Sequence, residues 1–354
     1  MSNDQLPARS SHTQDQPTNP TGYIDKAIRL DYLAVRATVD GHPDLPALLD
    51  NLGNQLYDRW LQTKNANFLN AAIECYRVMA QNTAHDHPDY PARLDSLAEL
   101  LDCRYGSTGL LPDLDDLDSA IALTRTAILA THNDNHSIAE RWNDLGRRLE
   151  TLFFSTRGKI ADLDEGIQFS FQAVTATPED SFHLAGRLVD LARKFKIRHE
   201  FASAGTDELD RAISLYRSAL KATCDKPQFR AECLRDLGIA LEIRYGDIGE
   251  PSNLQEAIAL ARDAINAMKA VDPNHPSLGD CFHELATKLG LLYEEKKSID
   301  DLDEAIALSL KAIKAGALYG EVFVNLRKIL ALRYTRTYQI NDSQEAAKRA
   351  GEAV

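Results

Sequence analysis

Basic side chains that could recognise a carboxylate are concentrated in the middle of an acidic chain. They are Arg147, Arg148, Arg193, Lys194, Lys196 and Arg198. A guanidinium group can pair with both oxygens of a carboxylate, so this cluster is suited to binding an acidic peptide. The alternative is a solvated helix face whose charge is offset by Glu140, Glu150 and Asp190. We favour this alternative, because runs of charge on helices are usually solvated surface.

Residues that could perform catalysis or bind a metal follow no established pattern. The sequence contains no G-x-S-x-G or caspase-type cysteine motif and no glycine-rich phosphate loop. No C-x-x-C pair occurs among the cysteines, which are Cys75, Cys103, Cys224, Cys233 and Cys281. His42, His87 and His275 each precede a proline, which favours a repeated turn, and His85 and His87 are too isolated to form a metal pair. We therefore expect no catalytic, cofactor or metal site, and no enzyme.

The bulk composition is that of a folded protein. Of 354 residues 44% are apolar, and the formal net charge is −13. This charge disfavours nucleic acid and anionic membranes as partners, because like charges repel. No apolar run reaches the length of about 18 residues that a membrane helix needs. Residues 1–20 are polar, without the apolar segment of a signal peptide, and predict a disordered leader. We expect a cytoplasmic protein with reduced cysteines.

An internal repeat provides the elements that must position these side chains. A leucine, which we call the anchor leucine, recurs every 41 to 48 residues and is followed by glycine or alanine in every copy but the last. The anchors are Leu52, Leu97, Leu145, Leu191, Leu237, Leu285 and Leu326. Apolar residues lie three before, four after and eight after each anchor, which predicts one helix, helix A. An Ala-Ile pair recurs with the same spacing and predicts a second helix, helix B.

Several details of the repeat predict how its helices begin and what they contain. Asp162, Asn253, Asp301 and Asp342, each followed three residues later by glutamate, predict N-caps for helix B. His-Pro turns precede helix A. An arginine recurs seven residues after the anchor, as Arg59, Arg104, Arg198, Arg244 and Arg333. A residue repeated so regularly predicts a bond within the repeat or stacking on a neighbouring aromatic ring.

The order of these residues resembles the tetratricopeptide repeat (TPR). The period here is some twelve residues longer than the usual 34. T-G ahead of D-L-D-E-A-I, and H-P-D-x-x-A-R-L-x-x-L, are similar to the tandem repeats of fungal TPR/CHAT-domain proteins. The caspase-like CHAT protease domain of those proteins is absent from these residues. The resemblance implies an all-α fold, a right-handed α-α superhelix of antiparallel helix pairs. Residues 21–354 would hold about seven pairs after a leading lone helix.

The resemblance also implies a binding groove lined by helix A. The corresponding positions lie two before, two after and five after the anchor, and in the third and fourth repeats they include Asn143, Arg147, Glu150, Arg193 and Lys196. We therefore expect a scaffold that binds a peptide or protein in this groove. Two alternatives remain: the sensing arm of a larger CHAT-type protease or signalling ATPase, and a module that self-associates through uncapped ends. The downstream coding sequence would test the first, and light scattering the second.

Overall fold

Every regular element in the part of the chain that the structure describes is an α-helix. The computed structural model describes residues 20–39, 41–107, 114–131, 135–156, 158–202, 205–222, 227–337 and 348. The helices there are α1 (Pro20–Ala37), α2 (Leu45–Thr63), α3 (Ala66–Gln81), α4 (Tyr90–Ser107), α5 (Leu114–Ala130), α6 (Asn135–Ser155), α7 (Ile160–Thr175), α8 (Leu184–Ala202), α9 (Asp207–Ala222), α10 (Pro227–Ile248), α11 (Pro251–Val271), α12 (Leu278–Lys296), α13 (Ile299–Lys314) and α14 (Gly320–Thr337). The predicted all-α fold class is confirmed.

The chain divides into two compact units. Unit 1 spans residues 1–133 and contains α1 to α5, and unit 2 spans residues 134–354 and contains α6 to α14. Within each unit consecutive helices pack on one another, and each helix A from α2 to α12 packs most extensively on the helix B that follows it. The even-numbered helices are helix A and the odd-numbered ones helix B. Of the predicted leader only Pro20 is described, and of the seventh helix B only Lys348; Cys224 lies outside the described residues.

The predicted register places the repeated small and large residues in the core. All seven anchor leucines are buried, and Leu145 has no exposed surface. The repeated alanines of helix B, such as Ala212 and Ala219, are equally inaccessible. Small side chains at these positions let the two helices of a pair approach closely while the leucines fill the space between them. The pattern of small and large residues therefore determines the spacing of each helix pair.

The His-Pro turns fix where three of the A helices begin. In each turn the histidine Nδ1 accepts a hydrogen bond from the backbone N–H two residues later, at 3.1 to 3.2 Å. The histidines are His42, His87 and His275, and α2, α4 and α12 begin three residues after them. Because a proline lacks an N–H donor, it is well tolerated at such a helix entrance. The interpretation of these histidines as a feature of the repeat is confirmed.

The predicted N-caps of helix B are wrong by three residues. Helices α7, α11 and α13 begin at Ile160, Pro251 and Ile299, so Asp162, Asn253 and Asp301 are the third residues of their helices. In none of these three helices does the N-cap side chain accept a hydrogen bond from a backbone N–H of the first turn. A carboxylate in the first turn still interacts favourably with the positive end of the helix dipole, which explains the recurrence of acidic residues there. The fourth predicted cap, Asp342, lies outside the described residues.

The recurring arginine of helix A joins helices of neighbouring repeats. Arg104 on α4 donates from Nε to Asp116 on the following α5 at 2.7 Å and from Nη1 to Asn70 on the preceding α3 at 3.0 Å. Arg198 reaches Asp164 and Glu208, and Arg244 reaches Asp210 and Asn253 in the same way. Arg59 and Arg333 pair with Asp25 and Asp303 on the preceding helix B. The predicted structural role is confirmed, and it extends across the joint between repeats.

Within the described ranges, none of the helices combines the length and the apolar character that crossing a lipid bilayer requires.

Candidate functional site

The five predicted groove residues lie on two neighbouring A helices of unit 2. Asn143, Arg147 and Glu150 are on α6, and Arg193 and Lys196 are on α8. Arg147 is exposed, whereas the other four are partly buried. Helices α6 and α8 contact each other as well as the α7 helix between them in sequence. We call the surface formed by these five residues the A face of unit 2.

Each predicted basic residue of the A face has an acidic partner on its own helix. The pairs are Arg147 with Asp144 at 2.8 Å, Arg193 with Asp190 at 3.2 Å, and Lys196 with Glu200 at 3.8 Å. The basic cluster is therefore a surface of mixed charge. Asp190 offsets the charge of Arg193, as the alternative interpretation predicts. Counting bases along the sequence overestimated the positive charge, because acids three residues before or four residues after a base share its helix face.

Two lysines of the A helices are buried and join adjacent repeats. Lys194 Nζ on α8 lies 2.9 Å from Glu150 Oε2 on α6, and Lys288 Nζ on α12 lies 2.7 Å from Glu242 Oε2 on α10. Both lysine residues are 0% exposed. Lys194, counted in the sequence cluster, is therefore unavailable to a partner. The sequence did contain a sign of these pairs. In both, the lysine lies three residues after its anchor leucine and the glutamate lies five residues after the anchor of the previous repeat.

The joint between α10 and α12 holds two carboxylates around one guanidinium. Arg235 Nε lies 3.9 Å from Asp236 Oδ1 and 3.8 Å from Glu284 Oε1, which is too long for a hydrogen bond. Burial raises the pKa of Glu284 to about 7, although Lys288 and Arg235 act in the opposite direction. Burial also raises the pKa of Asp236. Glu284 consequently exchanges a proton near neutral pH. Sequence reasoning missed this cluster, because pattern alone does not reveal how deeply a charged residue is buried.

Two tyrosines at the same position of helix B meet different surroundings. In unit 1 the Tyr76 hydroxyl lies 3.0 Å from Asp50 Oδ1 and 2.8 Å from Asn54 Oδ1. In unit 2 Tyr216 is fully buried, and its hydroxyl has no hydrogen-bond partner in the described part of the chain. The corresponding positions of α8 are valine and arginine, neither of which offers an acceptor. Asn143 Oδ1 is also buried without such a partner.

The cysteines in the described ranges are reduced, and three of them are buried. Burial raises the pKa of Cys75 and Cys281 to about 11 and that of Cys233 to about 12. These thiols therefore remain protonated at neutral pH and are poor nucleophiles. Cys233 Sγ lies 3.5 Å from the backbone oxygen of Tyr216, so this thiol packs against helix B of the preceding repeat. The described residues contain no cluster of three or more metal-ligating side chains.

Comparison with known proteins finds similarity only at the level of solved structures. No protein-family model and no curated protein matches the sequence. The structure of BtubC (BKLC) from P. vanneervenii is 17% identical, covers 83% of this chain and 91% of its own, and has a TM-score of 0.46. A putative kinesin light chain with nearly identical TPR-like repeats from Podosopora anserina is 16% identical, with coverages of 70% and 99% and a TM-score of 0.42. TTC0263, a TPR protein from Thermus thermophilus, is 18% identical, with coverages of 68% and 99% and a TM-score of 0.41.

Proposed function

We propose that this chain is a protein–protein interaction scaffold that binds a peptide or protein partner on the A face of unit 2. The residues in contact with the partner would be Asn143, Arg147, Glu150, Arg193 and Lys196. The observation that carries this proposal is a difference between two sets of arginines on the same helices. Those seven residues after the anchor pair with other helices, whereas Arg147 and Arg193 pair with an acid of their own helix and keep side chains that are 55% and 43% exposed.

Such pairs within one helix can be exchanged at little cost. An ion pair between residues three apart on an exposed helix contributes about 0.2–0.5 kcal/mol. A carboxylate from a partner can therefore replace Asp190 at the Arg193 guanidinium with a small loss of intramolecular stability. The two fork-like guanidinium groups would then bind carboxylates of the partner in a defined geometry.

Charge reversal tests the proposal directly. Proteins that co-purify with the intact chain would be identified and compared with those recovered by a variant carrying Arg147→Glu, Arg193→Glu and Lys196→Glu. We expect the variant to lose partners that the intact chain retains, because the reversed charges would repel the partner's carboxylates. The matched control carries Lys221→Glu, Lys311→Glu and Lys314→Glu, which change the net charge equally at exposed positions on helix B. Recovery of the same partners by the A-face variant would show that the assignment is wrong.

A further inference from the structure

Unit 1 contains an open apolar cleft of about 680 Å³ between two B helices, α1 and α3. Its walls are Ile28, Tyr32 and Val35 of α1 and Ala71, Cys75 and Val78 of α3, and its floor is Leu49, Leu52 and Leu56 of α2. Each of these three sets repeats at intervals of three or four residues over two helical turns. The cleft is therefore lined along its length by one apolar face of each helix. We call it the α1/α3 cleft.

Among the described residues that line it, no ion pair bridges the α1/α3 cleft, whereas two pairs of B helices in unit 2 are each joined by one. There Arg217 on α9 pairs with Glu256 on α11, and Arg262 on α11 pairs with Glu304 on α13, each at 2.8 Å. The arginine lies five residues after the alanine of the Ala-Ile pair, and the glutamate lies one residue before the alanine of the next helix B. In α1 and α3 these two positions are Tyr32 and Ala71, which form no ion pair. Both line the cleft instead.

A second cleft in unit 1 lacks the bridge too, but its lining is more polar. It has a volume of about 500 Å³ between α3 and α5, and it includes Arg77, Gln81, His85 and Thr126. The α1/α3 cleft includes only two ionisable side chains besides the Tyr32 phenol and the Cys75 thiol, namely Arg29 and Glu74. Large apolar side chains are therefore better accommodated by the α1/α3 cleft than by its neighbour.

The charge at the rim of the α1/α3 cleft is unbalanced. Glu74 already pairs with Arg77 at 2.6 Å. Arg29 is exposed and has no ion pair or hydrogen bond with any residue in the described part of the chain. One positive charge at the edge of an apolar surface thus lacks a counter-charge. A complementary occupant would bring apolar side chains and an acidic group beside them.

We infer that the α1/α3 cleft is a docking site for an amphipathic helix of a partner protein. The helix would insert apolar side chains at positions i, i+3 or i+4, and i+7, and would place an aspartate or glutamate against Arg29. Three such anchors span about 10 Å at 1.5 Å per residue, which matches two helical turns of the cleft walls. Because the cleft is open along its length, the polar face of the docked helix would remain in water. This site is separate from the A face of unit 2 and does not depend on the function proposed there.

Segments of this chain are poorer occupants than a partner helix. Residues 1–19 contain a single leucine, Leu6, and no isoleucine, valine or aromatic residue, so they lack the required row of apolar anchors. In a second copy, the exposed apolar residues of α1 are Leu30, which lies outside the cleft, and Tyr32 and Leu33, which line it. Exposed Arg29 and Arg36 share a helix face with Leu33 and would bring like charge towards Arg29.

Fluorescence anisotropy of the full chain with a designed peptide tests this inference. The probe is a labelled amphipathic helix of about four turns, with leucines at i, i+3 and i+7 and glutamates beside them. A second probe has lysines in place of the glutamates. We expect the glutamate peptide to bind the intact chain, and to bind the Arg29→Glu variant about tenfold more weakly. The lysine peptide should show the opposite preference, a rescue that a merely misfolded variant would not produce.

A variant that closes the cleft provides the second arm. Tyr32→Arg combined with Ala71→Glu introduces the bridge found between α9 and α11, and we expect it to abolish binding of the glutamate peptide while helical content is kept. Leu30→Gln, on an exposed residue of α1 outside the cleft, is the control and should bind as the intact chain does. Equal binding of both peptides to every variant, or no binding of the glutamate peptide, would overturn the inference. Two other occupants would also overturn the inference. One is a fatty acid, if laurate binds and the peptide does not; the other is a second copy, if the intact chain forms a dimer that Arg29→Glu dissociates.

Discussion

Lys194 Nζ lies 2.9 Å from Glu150 Oε2, and this ion pair joins α8 to α6. The lysine is completely buried, and its side chain also approaches the backbone oxygen of Asp190 at 3.4 Å. Lys288 and Glu242 repeat the arrangement between α12 and α10. Charged residues therefore form part of the joint between repeats, and they are not confined to its surface.

Removing one member of the Lys194–Glu150 pair should be more damaging than removing both. Glu150→Leu leaves the buried ammonium group without its counter-charge and should lower the free energy of unfolding by about 3 kcal/mol. Adding Lys194→Met should recover most of this loss, because a buried pair can be replaced by apolar side chains at little net cost. Urea denaturation of the single and double variants measures both values. Strictly additive losses would show that the two residues are not coupled.

Arg104 should not tolerate replacement by lysine. Its guanidinium binds Asp116, which is only 4% exposed, and Asn70 on another helix, whereas an ammonium group cannot maintain this fork. We expect Arg104→Lys to cost about 1–3 kcal/mol of stability, since a buried carboxylate loses part of its hydrogen bonding. Arg77→Lys is the control, because Arg77 pairs with exposed Glu74 of its own helix. Equal melting temperatures for the two variants would contradict the role given to Arg104.

Gly146 and Gly238 follow equivalent anchors but should respond differently to alanine. A Cβ on Gly146 would overlap the Ser170 hydroxyl and lie 3.0 Å from the backbone oxygen of Gly166, whereas a Cβ on Gly238 would lie 3.4 Å from the nearest atom. We expect Gly146→Ala to lose about 1–3 kcal/mol by overpacking. Gly238→Ala should be neutral or slightly stabilising, because alanine favours the helix. Thermal melts of the two variants would test this, and a similar loss in both would refute the difference in spacing.

The raised pKa of Glu284 predicts a dependence of stability on pH. The folded chain holds the Glu284 proton up to a pKa of about 7, whereas the unfolded carboxyl releases it near its ordinary pKa of 4.5. The unfolded state therefore binds fewer protons in this interval, so the stability that Glu284 contributes falls as the pH rises from 4.5 to about 7. Glu284→Gln cannot lose a proton and should gain stability relative to the intact chain over the same range. Melting curves at pH 5 and about pH 8 provide the comparison; a constant difference would rule out this titration.

The repeat register was predictable because it depends on local spacing and residue size. The anchor leucines and the alanines of helix B recur at fixed positions, and each is buried as expected. The His-Pro turns were predictable for the same reason. The starts of helix B were not, since the residues interpreted as caps are the third residues of their helices. There Asp162 lies near the positive end of the helix dipole, and Asn253 accepts a hydrogen bond from Arg244 of helix A. The predicted groove residues lie on neighbouring helices, as the repeat spacing implied. Which acid pairs with each basic residue was known only from the contacts in the structure.

The amino-acid sequence by itself determined the helices, their order and the positions that form the core, because side-chain periodicity and size act over a few residues. The tertiary structure alone decided which charged residues are buried. Lys194 and Lys196 are two residues apart, yet the first is enclosed between α6 and α8 and the second is partly exposed. It also decided that an open cleft lies between α1 and α3. Tyr32 and Ala71 line this cleft at the positions where α9 and α11 carry the Arg217–Glu256 ion pair. Burial and bridging depend on distances between separate helices, which spacing along one helix does not specify.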